Sequence, residues 1–202
     1  MLRKILILTA VLSLGLFSQA IYANVNNGET APDFTLNDTN GAAHSLSQYK
    51  GKFVVLEWFN YDCPFVKKYY DKGNMQALQK EYKAKDVVWL AINSSAEGKE
   101  GYYPNDKLNE LSKEKDMAAT AVFIDSDGKV GKLYGAKTTP HMFVIDPQGL
   151  LIYQGAIDNK PSTDTADIAS SVNYVKAALD EALAGKAVTE ASTKSYGCSV
   201  KY

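Results

Sequence analysis

The 202-residue chain carries 22 basic and 23 acidic residues, a net charge of −1, and 46% apolar side chains. Nothing in that balance suggests a nucleic-acid surface, so no nucleic-acid partner is expected. Its two cysteines, Cys63 and Cys198, form neither a CxxC nor a zinc-finger spacing.

The first element reads as an export signal. Arg3 and Lys4 precede an apolar run from Ile5 to Phe17, followed by small residues at Ser18, Ala20 and Ala23. The run is too short for the roughly 20 residues that span a bilayer, and cleavage fits after Ala20 or Ala23. The expected organisation is a signal peptide over 1–23, one domain over 24–187 and a tail over 188–202 that carries Cys198. The expected location is periplasmic or secreted, with no stable membrane anchor after cleavage. Removing the signal also removes Arg3, the single arginine, and leaves 20 basic against 23 acidic residues, a charge of −3.

Within the domain, FVVLEWF after Lys52 has the length and composition of a buried strand. A helix is expected from Pro64, with Val66, Tyr69 or Tyr70, Met75, Leu78 and Tyr82 at helical spacings. Gly73 and Asn74 predict a kink or a division into two. VVWLAIN (87–93) reads as a second strand, 105–117 as a helix with Leu108 and Leu111 inward, and AVFID (121–125) and MFVID (142–146) as further strands. LLIYQG (150–155) closes a hairpin with the last of these. Ile168, Val172, Val175, Leu179 and Leu183 share one helical face, with Thr163 or Asp164 as caps and Gly185 as the stop. Alternating strands and helices with a late hairpin predict an α/β sandwich around a mixed sheet.

Cys63 stands where a strand hands the chain to a helix, and Pro64 suits the first helical position, where an N–H has no partner to lose. Unpaired amides and the helix dipole at such a place favour an anion, which makes a cysteine there a candidate nucleophile. Lys67 and Lys68 add positive charge one turn on, and Asp62 opposes it. The alternative is a buried structural thiol.

The chain resembles the redoxin branch of the thioredoxin-like superfamily, the alkyl hydroperoxide reductase and thiol-specific antioxidant family. The resemblance rests on GETAPDFTLND (28–38), SLSQYKGKFVVLEW (45–58), YDCPFV (61–66) and TTPHMFVIDPQG (138–149), in that order. It implies a thioredoxin-like three-layer α/β/α sandwich with a central mixed β-sheet. It also implies a cis bond before Pro140, which packs beside Cys63 with the Thr139 backbone facing the substrate. His141 is then either a proton carrier near Cys63 or a side chain turned into the sheet, and His44 has no evident partner.

Departures from the family pattern narrow the chemistry. A dithiol enzyme of the thioredoxin kind has a second cysteine where this chain has Val66. A peroxiredoxin has Thr or Ser where this chain has Asn60, together with an arginine that the mature chain lacks. Asn60 can donate a hydrogen bond, but no lysine reproduces the fixed fork of a guanidinium.

Cys198, 135 positions beyond Cys63 (198 minus 63), is a candidate resolving thiol on a mobile tail. A permanent bridge to Cys63, and an intermolecular or isolated thiol, are the alternatives. The leading expectation is an exported thiol-dependent oxidoreductase with Cys63 and Cys198 as catalytic residues, supported by Asn60, Pro64, Thr139, Pro140 and His141. It requires no cofactor or metal. Its substrate is a disulfide or a hydroperoxide, and its partner an external thiol reductant or a thioredoxin-like reductase. A redox-inactive binding module and a copper-binding protein using Cys63 and His141 are the competing readings.

Overall fold

The computed structural model describes residues 25–202, so the signal-peptide reading lies outside them. A short antiparallel hairpin, β1 (Thr35–Asn37) and β2 (Ala43–Ser45), opens the fold. It leads through a 3-10 turn (Leu46–Tyr49) to β3 (Val54–Trp58). Next come α1 (Pro64–Tyr70), α2 (Asn74–Lys83), β4 (Val88–Asn93), α3 (Asn105–Glu114) and β5 (Ala121–Ile124). After α4 (Lys129–Tyr134), the two-residue β6 (Thr138–Thr139) precedes the hairpin of β7 (His141–Ile145) and β8 (Leu151–Gly155). A 3-10 turn (Thr165–Ser170), α5 (Tyr174–Leu183) and β9 (Cys198–Ser199) complete the chain.

The central sheet runs β5-β4-β3-β7-β8, parallel through β3, β4 and β5 and antiparallel from β3 to β7 and β7 to β8. This is the mixed sheet of a thioredoxin-like α/β fold. Alternation along β3 sends Val55 and Phe59 to one face and Val54, Leu56 and Trp58 to the other. The first face packs against Val66 and Tyr69 of α1, Met75, Leu78 and Tyr82 of α2, and Val175 and Leu179 of α5. The second packs against Val130 and Tyr134 of α4 and against Phe34 and Leu46. A core side chain of this size contributes about 1.5–3 kcal/mol when buried, so the two apolar faces, rather than helix propensity, hold the short helices in place.

Two expected helices divide. The first breaks at Gly73, whose φ of +76° lies in the left-handed region and cannot continue α1. The last breaks at 171–173: Asp164 caps the 3-10 turn, and Asn173 starts α5 by accepting from the Lys176 N–H. Val172, assigned to the apolar face by spacing, is therefore 53% exposed.

The unforeseen α4 depends on a buried carboxylate. Asp125 accepts from the Val130 and Gly131 N–H groups and from Ser94 Oγ, which in turn accepts from Trp58 Nε1. His44 also has partners, Tyr49 Oη at 2.6 Å and Asp38 Oδ2 at 3.2 Å. Among the described residues, no helix is long and apolar enough to cross a membrane.

Candidate active site

Cys63 is the N-cap of α1, fully buried, and its carbonyl accepts from the Val66 and Lys67 N–H groups. The loop before it is held by Asn60. The Asn60 backbone carbonyl accepts from the Cys63 N–H, its Oδ1 accepts from the Asp62 N–H, and its Nδ2 donates to the Glu100 carbonyl. A Cβ on Gly101 would overlap the Asn60 amide, so the two segments pass with no space between them. The Asn60 amide is thus committed to shaping this loop. Pro64 occupies the first helical position, as expected for a residue without an N–H.

The Cys63 thiol donates to the Thr139 carbonyl at 3.1 Å. The Thr139–Pro140 bond is cis, and the Thr139 hydroxyl is buried with no hydrogen-bond partner. Cys198 arrives on the other side of Thr139: β9 pairs antiparallel with β6, setting Thr139 opposite Cys198 and Thr138 opposite Ser199. Opposed residues in such a pair project to the same face. The two cysteines are free thiols close enough to interact. Burial pushes the Cys198 thiol up to about 12, and the nearness of Cys63 adds to the shift.

The tail is not the mobile arm expected from its Ser, Thr and Lys content. Residues 191–193 follow β8, with Gln154 N–H donating to the Ala191 carbonyl and Thr193 N–H to the Gln154 carbonyl. Tyr196 then donates to Asp158 Oδ1, its ring lies edge-on to Phe65 at 5.8 Å, and its hydroxyl is 3.0 Å from that of Tyr69. Tyr69 donates to Asp158 Oδ2, and the Lys160 N–H to Asp158 Oδ1. Gly197, at φ +138°, passes so close to the Thr139 carbonyl that a Cβ would overlap its oxygen. Beyond Cys198, Val200 N–H donates to the Lys137 carbonyl and Tyr202 Oη to the Ala136 carbonyl.

Two expected contributors face elsewhere. His141 follows the alternation of β7 onto the face of Phe143, whose ring is 4.5 Å away, while Cys63 belongs to the cluster of Met142 and Val144. Its Nδ1 accepts from the Lys137 N–H, and burial followed by the Lys137 charge holds it down at about 4, a neutral ring. Lys68 reaches inward, donating to the Lys160 carbonyl at 2.9 Å with Asp158 at 3.9 Å.

A further buried group, Glu57, lies on the Cys63 side of the sheet. It accepts from Trp89 Nε1, Tyr70 Oη and Gln79 Nε2, and burial raises its carboxyl to about 7. The sequence signal for Glu57 was an acid inside an apolar strand. For Tyr196 and Gly197 it was an aromatic-Gly pair directly before the second cysteine, and for Asp158 there was none. Among the described residues, no group of three or more His, Cys, Asp or Glu side chains converges as a metal site.

The model of the AhpC/TSA family matches residues 27–154. Thiol-disulfide oxidoreductase ResA of Geobacillus thermodenitrificans is 31% identical over 156 residues, covering 73% of this chain and 82% of its own. Among solved structures, an uncharacterized conserved protein from Geobacillus kaustophilus superposes with a TM-score of 0.74 at 27% identity, covering 88% of this chain and 92% of its own. A putative thiol:disulfide interchange protein DsbE from Chlorobium tepidum gives 0.51 at 29% identity, covering 64% and 84%. The chain belongs to the AhpC/TSA family and is an oxidoreductase of thioredoxin-like fold.

Proposed function

We propose that this protein is an exported thiol-disulfide oxidoreductase in which Cys63 is the attacking thiol and Cys198 the resolving one. The observation that carries the reading is the seating of Cys198 opposite Thr139, whose carbonyl accepts the Cys63 thiol. It takes the place of the neighbouring cysteine that Val66 cannot supply. The names of the ResA and DsbE relatives support a disulfide over a peroxide as substrate. So does the absence of arginine after residue 3.

In the reaction, the Cys63 sulfur attacks one sulfur of an external disulfide, forming a mixed disulfide and releasing one thiolate, which takes up the Cys63 proton. The Cys198 sulfur then attacks Cys63 Sγ, forms the Cys63–Cys198 bond and expels the second thiolate, which takes up the Cys198 proton. The substrate gains two electrons and the pair loses two. An external dithiol reverses the sequence and restores both thiols. Asn60 and Pro64 shape the loop that presents Cys63, and Thr139 holds its thiol and lines up its partner. Export is supported by Arg3, Lys4 and the apolar run that follows.

The test is thiol titration of the purified protein before and after oxidised glutathione, with mass mapping of the product. Loss of two thiols and a Cys63–Cys198 crosslinked peptide are expected, together with no exchange in Cys63→Ser. Unchanged exchange in that variant overturns the reading.

A further inference from the structure

We propose that Tyr196 is the positioning residue of the cysteine pair: held by Asp158 and Tyr69, it fixes Cys198 against Cys63 and sets the balance between dithiol and disulfide. This rests on the pairing of the two cysteines proposed above. Tyr196 is two residues before Cys198, and its contacts converge on the helix that Cys63 caps. Its ring meets Phe65 and its hydroxyl lies 3.0 Å from that of Tyr69, both on α1. Asp158 ties the two phenols together by accepting from each on a different oxygen. Helix and tail are thereby joined by a buried carboxylate, and hydrogen bonds to a buried charge are the strong kind.

Gly197 transmits this anchor. Its backbone lies against the Thr139 carbonyl, which also accepts the Cys63 thiol, so a shift of Tyr196 moves Cys198 along the Thr139 edge. Disulfide formation depends steeply on the placement of both sulfurs, and a looser tail presents Cys198 at a lower effective concentration. Downstream, Val200 and Tyr202 keep the tail from leaving altogether. Tyr196 therefore tunes the pair and does not make it.

Tyr196→Phe keeps the ring on Phe65 and removes the hydroxyl, while Asp158 retains Tyr69 and the Lys160 N–H. Equilibration of wild type and variant with glutathione buffers, read by mass, is expected to show the oxidation constant of the Cys63–Cys198 pair lowered about tenfold, the scale of one charged hydrogen bond. In a Cys198→Ser background, Tyr196→Phe is expected to speed alkylation of the buried Cys63 by iodoacetamide. Tyr69→Phe, which leaves the Tyr196–Asp158 bond intact, is a second variant with a smaller shift in the same direction.

A lowered melting temperature with an unchanged oxidation constant overturns the proposal and leaves the pairing of the cysteines intact. Failure of wild type to form the Cys63–Cys198 bond at any glutathione ratio removes the pairing, and the proposal with it.

Discussion

Thr139 stands directly opposite Cys198 in the β6–β9 ladder, and its carbonyl accepts the thiol of Cys63. One backbone residue thus touches both sulfur-bearing residues, although the two are 135 positions apart (198 minus 63). Removing the second sulfur separates attack from resolution. Cys198→Ser is expected to stop at the mixed disulfide, so that mass spectrometry after oxidised glutathione finds one glutathione on Cys63. Cys63→Ser is expected to carry none.

Gly197→Ala places a methyl group where the Thr139 carbonyl already lies, at a φ that L side chains rarely adopt. The expected result is a loss of about 1–3 kcal/mol in denaturant unfolding. Cys63 should also become accessible to alkylation, because the tail can no longer lie flat on β6.

Two buried groups give opposite pH dependences. Glu57 is raised from 4.5 to about 7 on folding, so its contribution is complete below pH 4.5 and is lost as pH rises to about 7. His141 is lowered from 6.5 to about 4, so its contribution is complete above pH 6.5 and is lost as pH falls to about 4. Each amounts to about 3 kcal/mol across its window. Glu57→Gln should therefore expose a stability that climbs from pH 4 to 6.5, and His141→Phe one that declines from pH 4.5 to 7. Urea unfolding at half-unit pH steps compares them with wild type, whose two slopes oppose each other.

Val66→Cys restores a thiol three residues after Cys63, one turn along α1. Oxidation is expected to join Cys63 to the introduced thiol, with Cys198 left free in the peptide map. A unique Cys63–Cys198 product would mean that the docked tail outcompetes the adjacent turn.

Strong periodic segments made much of this fold legible in the sequence. FVVLEWF and VVWLAIN became β3 and β4, and the Gly73 break and the hairpin of β7 and β8 were expected. The misses share a cause, since each depends on contacts distant in the chain. α4 needs Asp125 to bind the amides of a glycine-containing turn, β6 exists because β9 pairs with it, and Val172 leaves the apolar face because Asn173 restarts the helix. At the site, Cys63, Pro64 and Thr139 announced themselves by motif, whereas the Tyr196–Asp158–Tyr69 clamp joins three segments that no local pattern connects.

Chain order gives this arrangement a direction in time. Phe65, Tyr69, Thr139 and Asp158 are all synthesised before Tyr196, which follows Asp158 by 38 residues. At synthesis rates of about 5–20 residues per second, that is an interval of about 2 to 8 s. Throughout it, Cys63 is a thiol whose helix and neighbouring carbonyl have been made and whose covering strand has not. The segment that follows is the one that sets Cys198 opposite Thr139.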